Sequence, residues 1–384
     1  MSILFYYFFG AKFEFYEKDY LKKRSLYDIL NIEKVFYPGG EIMAATISDV
    51  ARLAGVSITT VSRVINNNYP VKEETRRKVE RAIKELDYKP NLLARSLINK
   101  KTKSLGVVVP SITNLFFPVV VKGIQNISDR EGFSLFLCDT DSRGEKEKKQ
   151  IQNLIEKQVD GILVIDPLMD NIENDFYEKI ALNIPLVIVN GYHKGIRANF
   201  VLSDQEMGMI QAMEYLIGLG HKDIAFLRGK DSYSYDLKEA LYYELLKKHK
   251  IAVKEENILK IKDGNGLETV ALTIEIVEER LEKANGPTAI IACNDWMGIG
   301  AVQAAKKLGK SVPKDLSVIG YDNILISELS EPRLTTVDQN MYALGETAAK
   351  LLIEIIEDTA TNFKKIIMDT HLIIRDSCAA PGKI

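Results

Sequence analysis

Cysteine and histidine are scarce in this chain, three and four among 384 residues. Cys138, Cys293 and Cys378 are odd in number and far apart. That argues against a disulfide framework or a thiolate metal site and for a reducing cytoplasm. No histidine stands near a cysteine or carboxylate at metal-ligand spacing. No nucleophile is paired with a base and no phosphate-binding glycine loop occurs, so nothing at motif level points to an enzyme or a cofactor. No apolar run approaches the ~20 residues that span a bilayer, which excludes a helical membrane protein. The run Ile3–Phe9 is apolar but short, and no basic residue precedes it as a signal peptide would require. A single tryptophan, Trp296, is present.

What the chain has in quantity is apolar residues, 46%, and enough length for two or three domains. Its net charge of −2 hides an asymmetry. Residues 44–103 hold 13 Lys and Arg against 6 Asp and Glu, a balance of +7. Residues 104–384 hold 32 against 41, a balance of −9, and residues 1–43 are neutral. A basic block on an acidic body suggests a nucleic-acid-binding arm attached to a domain with another task. Residues 1–42 fit no pattern and carry twelve of the 32 aromatics. The expectation is that translation starts at Met43, behind Gly39-Gly40-Glu41, which a purine-rich ribosome-binding sequence can encode. The alternative is an aromatic arm packed on the basic block.

Within the basic block, Ile47, Val50, Ala51 and Ala54 share one helical face, with Thr46 before them as a cap. Gly55 supplies a break, and Ser57 caps a second helix with Val61, Val64 and Ile65 on its apolar side. Such a pair forms a helix-turn-helix, whose second helix lies in a DNA major groove. Its other face shows Ile58, Thr59, Ser62 and Arg63: two hydroxyls, a guanidinium, and an aliphatic group suited to a thymine methyl. A third helix over about Lys72–Leu86 turns Val79, Ile83 and Leu86 inward and ends before Pro90.

The strings T-I-x-D-V-A, A-G-V-S and T-V-S-R-V-I-N, from Thr46 to Asn66, resemble the headpiece of the lactose/galactose repressor (LacI/GalR) family of bacterial transcription regulators. The resemblance implies DNA contacts from Thr46, Ser57, Ile58, Thr59, Thr60, Ser62, Arg63, Asn66, Tyr88, Asn91, Ala94 and Leu97. Leu92–Leu97 resembles the family's hinge helix, in which a leucine, here Leu97, wedges between base steps in the minor groove and kinks the duplex. A merely helical linker is the other reading of that stretch.

From Ser104 the pattern becomes strands alternating with helices, which predicts parallel doubly wound sheets. Leu105–Val109, Phe133–Cys138, Gly161–Ile165, Pro185–Val189, Ile224–Leu227, Ala289–Ala292 and Leu316–Ile319 read as strands. A helix over Met297–Lys307 is expected to be capped by Asp295, and Lys364–Ile374 reads as one final strand. The resemblance continues through Val108–Asn114, Leu219-Gly-His221, Cys293-Asn-Asp295, Val318–Asn323 and Leu334-Thr-Thr-Val337. It implies an all-α helix-turn-helix headpiece plus an α/β two-lobed core like a periplasmic binding protein, with parallel doubly wound sheets. The expected organisation is a non-family extension over 1–42, a headpiece over 43–90, a hinge and linker over 91–103 and a core over 104–384. Lobe one takes about 104–200 plus 338–367, and lobe two about 201–337 plus 368–384.

The family places a small-molecule effector between the lobes, outside the carboxyl ends of the strands. Phe116, Asn190, Lys238, Asn294, Trp296 and Asp322 are the candidate contacts. Trp296 is suited either to stack on a sugar ring or to pack under its helix. One departure concerns Lys238-Glu-Ala-Leu241-Tyr242. Sugar-binding members usually have Arg where Lys238 stands and Gly where Leu241 stands. Lysine lacks the bidentate fork of arginine, so a standard hexose contact set is in doubt. Glu331, before Pro332-Arg333, puts an acid where a catabolite-type branch presents a basic surface to a phosphoprotein. The resemblance therefore implies a cytoplasmic, homodimeric repressor of a pseudo-palindromic operator, controlled by a sugar or sugar derivative and needing neither metal nor cofactor. A solute-binding protein, an activator and a global catabolite-type regulator are the alternatives.

Overall fold

The computed structural model describes residues 45–67, 69–89, 101–192, 195–230, 232–283, 285–357 and 362–382. The expected extension over 1–42 and the hinge residues Asn91, Ala94 and Leu97 lie outside these. The chain divides between Asn91 and Leu92 into two compact units that we describe separately.

The first unit contains α1 (Ile47–Ala54), α2 (Ile58–Asn66) and α3 (Glu73–Glu85). Thr46 and Asp49 form a capping box on α1: the Thr46 hydroxyl accepts from the Asp49 N–H, and the Asp49 carboxylate accepts from the Thr46 N–H at 3.0 Å. Gly55 ends α1 at φ 67°, a left-handed conformation that glycine adopts without steric cost. Ser57 Oγ accepts from the Thr60 N–H at 3.2 Å and starts α2. Lys72 precedes α3 without a side-chain cap. The three apolar faces close on Val50, Ala51, Val61, Val64, Val79 and Ala82.

The second unit is a two-lobed α/β core. Lobe one has strands β1 (Ser104–Val109), β2 (Ser134–Asp139), β3 (Gly161–Ile165), β4 (Leu186–Val189) and β5 (Asn199–Ser203). Its helices include α4 (Phe116–Arg130), α5 (Gly144–Glu156), α6 (Met169–Glu173) and α7 (Phe176–Ala181). The chain then passes into lobe two: α8 (Gln205–Gly218), β6 (Ile224–Arg228), α9 (Tyr233–Lys248), β7 (Ile258–Lys260), α10 (Thr269–Glu282), β8 (Ala289–Ala292), α11 (Asp295–Lys307), β9 (Ser317–Asp322), α12 (Leu325–Leu329) and β10 (Thr335–Asp338). It returns to lobe one for α13 (Met341–Glu357) and β11 (Lys365–Met368), and ends in lobe two with β12 (His371–Ile373). The sheet orders are β11-β5-β4-β3-β1-β2 and β12-β10-β9-β8-β6-β7, parallel throughout except for β12, which is antiparallel to β10.

Alternation explains the layering. Val107 and Val109 face α4 and α13, while Val108 faces the α5 and α7 side, so the β-branched run is buried on both faces. Helices α4 and α13 meet closely because Gly123 and Gly345 face each other's backbone. A methyl on Gly123 would lie on the Tyr342 carbonyl oxygen, and one on Gly345 on that of Val120.

The structure departs from the sequence expectations in three places. Lys364–Ile374 is two strands in different lobes, parted at the polar residues Asp369 and Thr370, where the chain crosses between the lobes. Strands β5, β7 and β10 are additional to those expected from the sequence. The cap of α11 is Asn294, whose Oδ1 accepts from the Met297 N–H at 2.9 Å. Asp295 instead turns inward, accepting from the Ile324 N–H at 2.8 Å and the Thr336 hydroxyl at 2.5 Å. Among the described residues no helix is long and apolar enough to cross a membrane.

Candidate functional sites: recognition helix and inter-lobe cleft

In the headpiece, burial of Val61 and Val64 leaves the opposite side of α2 free. Ile58 is 50% exposed, and Thr59 and Arg63 are exposed beside it. The Arg63 guanidinium lies 4.4 Å from the centroid of the Tyr69 ring, a cation–π contact that restrains a long side chain. Ser62 accepts from Asn66 Nδ2 at 3.2 Å. The hydroxyls of Thr46, Ser57 and Thr60 serve the helix starts, Ser57 Oγ and Thr60 Oγ1 being 2.9 Å apart. Tyr88 is half-buried against the headpiece core. The expected headpiece contacts thus fall into an exposed trio on one helix face and a group that shapes the helix ends.

Between the lobes, the carboxyl ends of β1, β3 and β4 face those of β6, β8 and β9 across a cleft. At its base is a cavity of about 30 Å³, room for roughly two waters. Phe116, Asn190, Lys238, Asn294 and Asp322 all line it, brought together from across the core. Trp296 is not among the lining residues. It packs instead against the lobe-one cluster of Phe116, Phe117, Ile324 and Met341, and its Nε1 is buried with no hydrogen-bond partner. Of its two readings, packing is the one the fold produces.

The cavity also holds Asn114, Asp166, Gln205, Ser234, Tyr235, Asn265 and Gln339, which sequence reasoning missed as contacts. Asp166 follows β3 directly, so the strand-end rule that selected Asn190 could have found it. Gln339 lies on a crossover and carries no such signal.

These groups form a connected polar set. Asn190 Oδ1 accepts from the Ser203 N–H at 2.8 Å, and its amide nitrogen faces Gln339 Oε1 at 3.4 Å. Gln339 Nε2 donates to Asp322 Oδ1 at 2.6 Å. Asn294 donates to the Gly264 carbonyl at 2.7 Å. The lobes touch directly where Asn114 donates to Asn265 at 2.9 Å and Ser232 donates to Asp166 at 3.1 Å. Asp166, Asn190 and Asp322 have positive φ, 47°, 54° and 113°. The last is unusual for a residue with a side chain, and such backbone persists where the surroundings impose it.

Electrostatics follow burial. The Asp322 carboxyl is pushed well above the usual carboxylate range by desolvation, against the pull of Lys238. Desolvation takes Asp166 up to about 6, opposed by its bond from Ser232. The Lys238 ammonium is moved down by its own burial. At the cleft mouth a chamber of about 450 Å³ is lined from both lobes, including Asp170, Arg228, Lys230 and Lys260. Arg228 is neutralised there by Asp236 at 2.6 Å and by Glu239.

The chain matches bacterial regulatory proteins of the lacI family over residues 46–91 and a periplasmic binding protein-like domain over residues 213–378. It is 38% identical over 338 residues to the HTH-type transcriptional repressor PurR of Vibrio vulnificus (strain CMCP6), covering 87% of this chain and 98% of that protein. The lac repressor dimer, solved bound to operator and the anti-inducer ONPF, superposes with a TM-score of 0.78 at 30% identity, covering 88% of this chain and all of the other. The transcriptional regulator CelR, solved with cellobiose, gives 0.65 at 29% identity, covering 87% and 99%. With a helix-turn-helix unit, a two-lobed core and relatives alike over nearly their whole length, this chain belongs to the lacI family of bacterial regulatory proteins.

Proposed function

We infer that this protein is a sequence-specific DNA-binding transcriptional regulator that acts as a repressor. It binds a pseudo-palindromic operator as a homodimer in the cytoplasm. The observation that carries the DNA-binding part is the exposed face of α2, where Ile58, Thr59 and Arg63 stand clear of a packed three-helix core. An arginine and a hydroxyl on that face suit base edges, and Ile58 suits a thymine methyl. Thr46, Ser57, Thr60, Ser62, Asn66 and Tyr88 contribute backbone-phosphate contacts or hold the helix at its docking angle.

Regulation is assigned to the inter-lobe cavity. A small polar molecule held by Asn190, Lys238, Asn294 and Asp322, with Phe116 against its apolar face, bridges the lobes and biases their closure. The lobes exchange direct hydrogen bonds and the cavity is far below the ~300–1,000 Å³ typical of ligand pockets, so they part to admit it. A differential affinity of ~1–3 kcal/mol between the two lobe arrangements changes operator occupancy by about 5–150-fold.

Selection of bound duplexes from a random library with the purified chain, at two salt concentrations, tests the reading. Recovery of a palindromic site is expected. Binding without sequence preference at either salt, with and without a panel of sugars, would overturn it.

A further inference from the structure

Asp160 stands half-buried just before β3, and its carboxylate is turned toward the last residues ahead of β1. Oδ1 accepts from the Thr102 N–H at 2.8 Å and Oδ2 from the Lys103 N–H at 2.8 Å. The Thr102 hydroxyl lies 3.1 Å from Oδ1 and 2.9 Å from the Gln158 carbonyl oxygen, so its proton is held between two acceptors. Lys103 is fixed further. Its carbonyl accepts from the Ser134 N–H at 2.9 Å, its ammonium sits 4.1 Å from the centroid of the Phe133 ring, and its φ is 51°. A residue with a side chain keeps such a backbone where its surroundings impose it. Strand β1 does not need this help. It is bonded to β2 on one side and to β3 on the other, and its whole length is buried. The carboxylate therefore grips the chain ahead of the strand, where the segment coming from the helix-turn-helix unit enters the core.

We propose that Asp160 is a positioning residue for operator binding: it fixes the point at which each DNA-binding arm leaves lobe one. The proposal rests on the reading of this chain as a homodimeric, operator-binding regulator. In such a dimer the second headpiece reaches its half-site at an effective concentration set by the tether, and that concentration falls as the tether lengthens or slackens. Releasing Thr102 and Lys103 adds residues to both tethers. It also returns backbone freedom that binding must remove again. One headpiece on one half-site senses neither change. The placement of Asp160 also connects the arm to the inter-lobe cavity. Strand β3 runs from Gly161 to Ile165, and the next residue, Asp166, lines the cavity and accepts from Ser232 of lobe two. The strand is buried and paired with both β1 and β4, so its two ends move together. A displacement of lobe one at the cavity carries the end of the linker with it.

Fluorescence anisotropy with the full chain tests this on two duplexes: the palindrome recovered by the library selection, and the same duplex with one half-site scrambled. Asp160→Ala should weaken the palindrome by about ten-fold or more and change the half-site duplex by less than about two-fold. A residue that merely stabilised lobe one would lower the melting temperature and the affinity for both duplexes alike. Unchanged binding of the palindrome by Asp160→Ala, or an equal loss on both duplexes, overturns the proposal. Thr102→Val carries the same comparison if Asp160→Ala does not fold. It keeps both N–H bonds and removes only the hydroxyl, so the palindrome should weaken by about two-fold to ten-fold with the half-site duplex again unchanged; equal effects on the two duplexes would then overturn the proposal. The two possible failures are distinct. If no palindrome is recovered with the wild-type chain, the operator reading falls and the anchor with it. If a palindrome is recovered and the variant binds it as well as wild type does, only the anchor falls.

Discussion

Removing the guanidinium of Arg63 should cost specificity more than affinity for DNA at large. The side chain is exposed on α2 and rests on Tyr69, 4.4 Å from the ring centroid. In Arg63→Ala the headpiece loses only that exposed cation–π contact, ~0.5–1 kcal/mol, so its melting temperature should hardly move. Operator binding loses a base contact worth ~1–3 kcal/mol if the guanidinium grips a guanine edge, which is about 5–150-fold in affinity. Fluorescence anisotropy on the selected operator and on a scrambled duplex, each at two salt concentrations, measures both quantities. The operator should weaken by that factor, the scrambled duplex much less, and the salt slope should be nearly unchanged. Equal losses on both duplexes, with a shallower salt slope, would make Arg63 a phosphate contact and refute the argument. Tyr69→Leu extends the test, because it removes the restraint and leaves the charge. Operator affinity should then fall by less than in Arg63→Ala.

Three further outcomes are expected. Gly345→Ala should lower the melting temperature of the core markedly, since the methyl would collide with the Val120 carbonyl oxygen and overpacking costs ~1–3 kcal/mol; an unchanged melt would contradict the close crossing of α4 and α13. Burial takes the Asp295 carboxyl up to about 7, so the folded state holds its proton more tightly than the unfolded chain does. The associated stability is complete below about pH 4 and is lost as pH rises through about 7, on the order of 4 kcal/mol in all. Asp295→Asn should flatten that part of a melting-temperature profile, and a profile identical to wild type would remove Asp295 from the account. Trp296 is the chain's single tryptophan and packs against the lobe-one cluster, so its emission should be blue-shifted and should change when a ligand parts the lobes. A native spectrum matching free tryptophan in water would contradict that packing.

Much of the architecture was legible in local pattern. The capping box at Thr46, the turn at Gly55 and the cap at Ser57 depend on residues within four positions of one another, so the headpiece helices could be drawn from the string alone. The long β-branched runs at β1 and β3 announced buried parallel strands for the same reason. The strand-end rule selected Asn190, Asn294 and Asp322, which do share a cavity. Asp295, expected as the cap of α11, and Trp296, open between stacking on a ligand and packing under its helix, were settled by local backbone direction. Both follow Asn294 closely, but the backbone enters α11 there, and a helix sends successive side chains about 100° apart. Asn294 meets the cavity, Asp295 turns to Thr336, and Trp296 turns to lobe one.

The sequence by itself determined the helix-turn-helix, the alternation of strands and helices, and the separation of a basic arm from an acidic body, because each arises from neighbours along the chain and from composition. The tertiary structure alone decided that the last segment is two strands and not one, which residues meet at the cleft, and that Lys238 ends buried against the Cys293 carbonyl and the Tyr321 ring. These depend on three crossovers that bring together residues as far apart as Asn114 and Gln339, and separations of that kind leave no periodicity in a sequence.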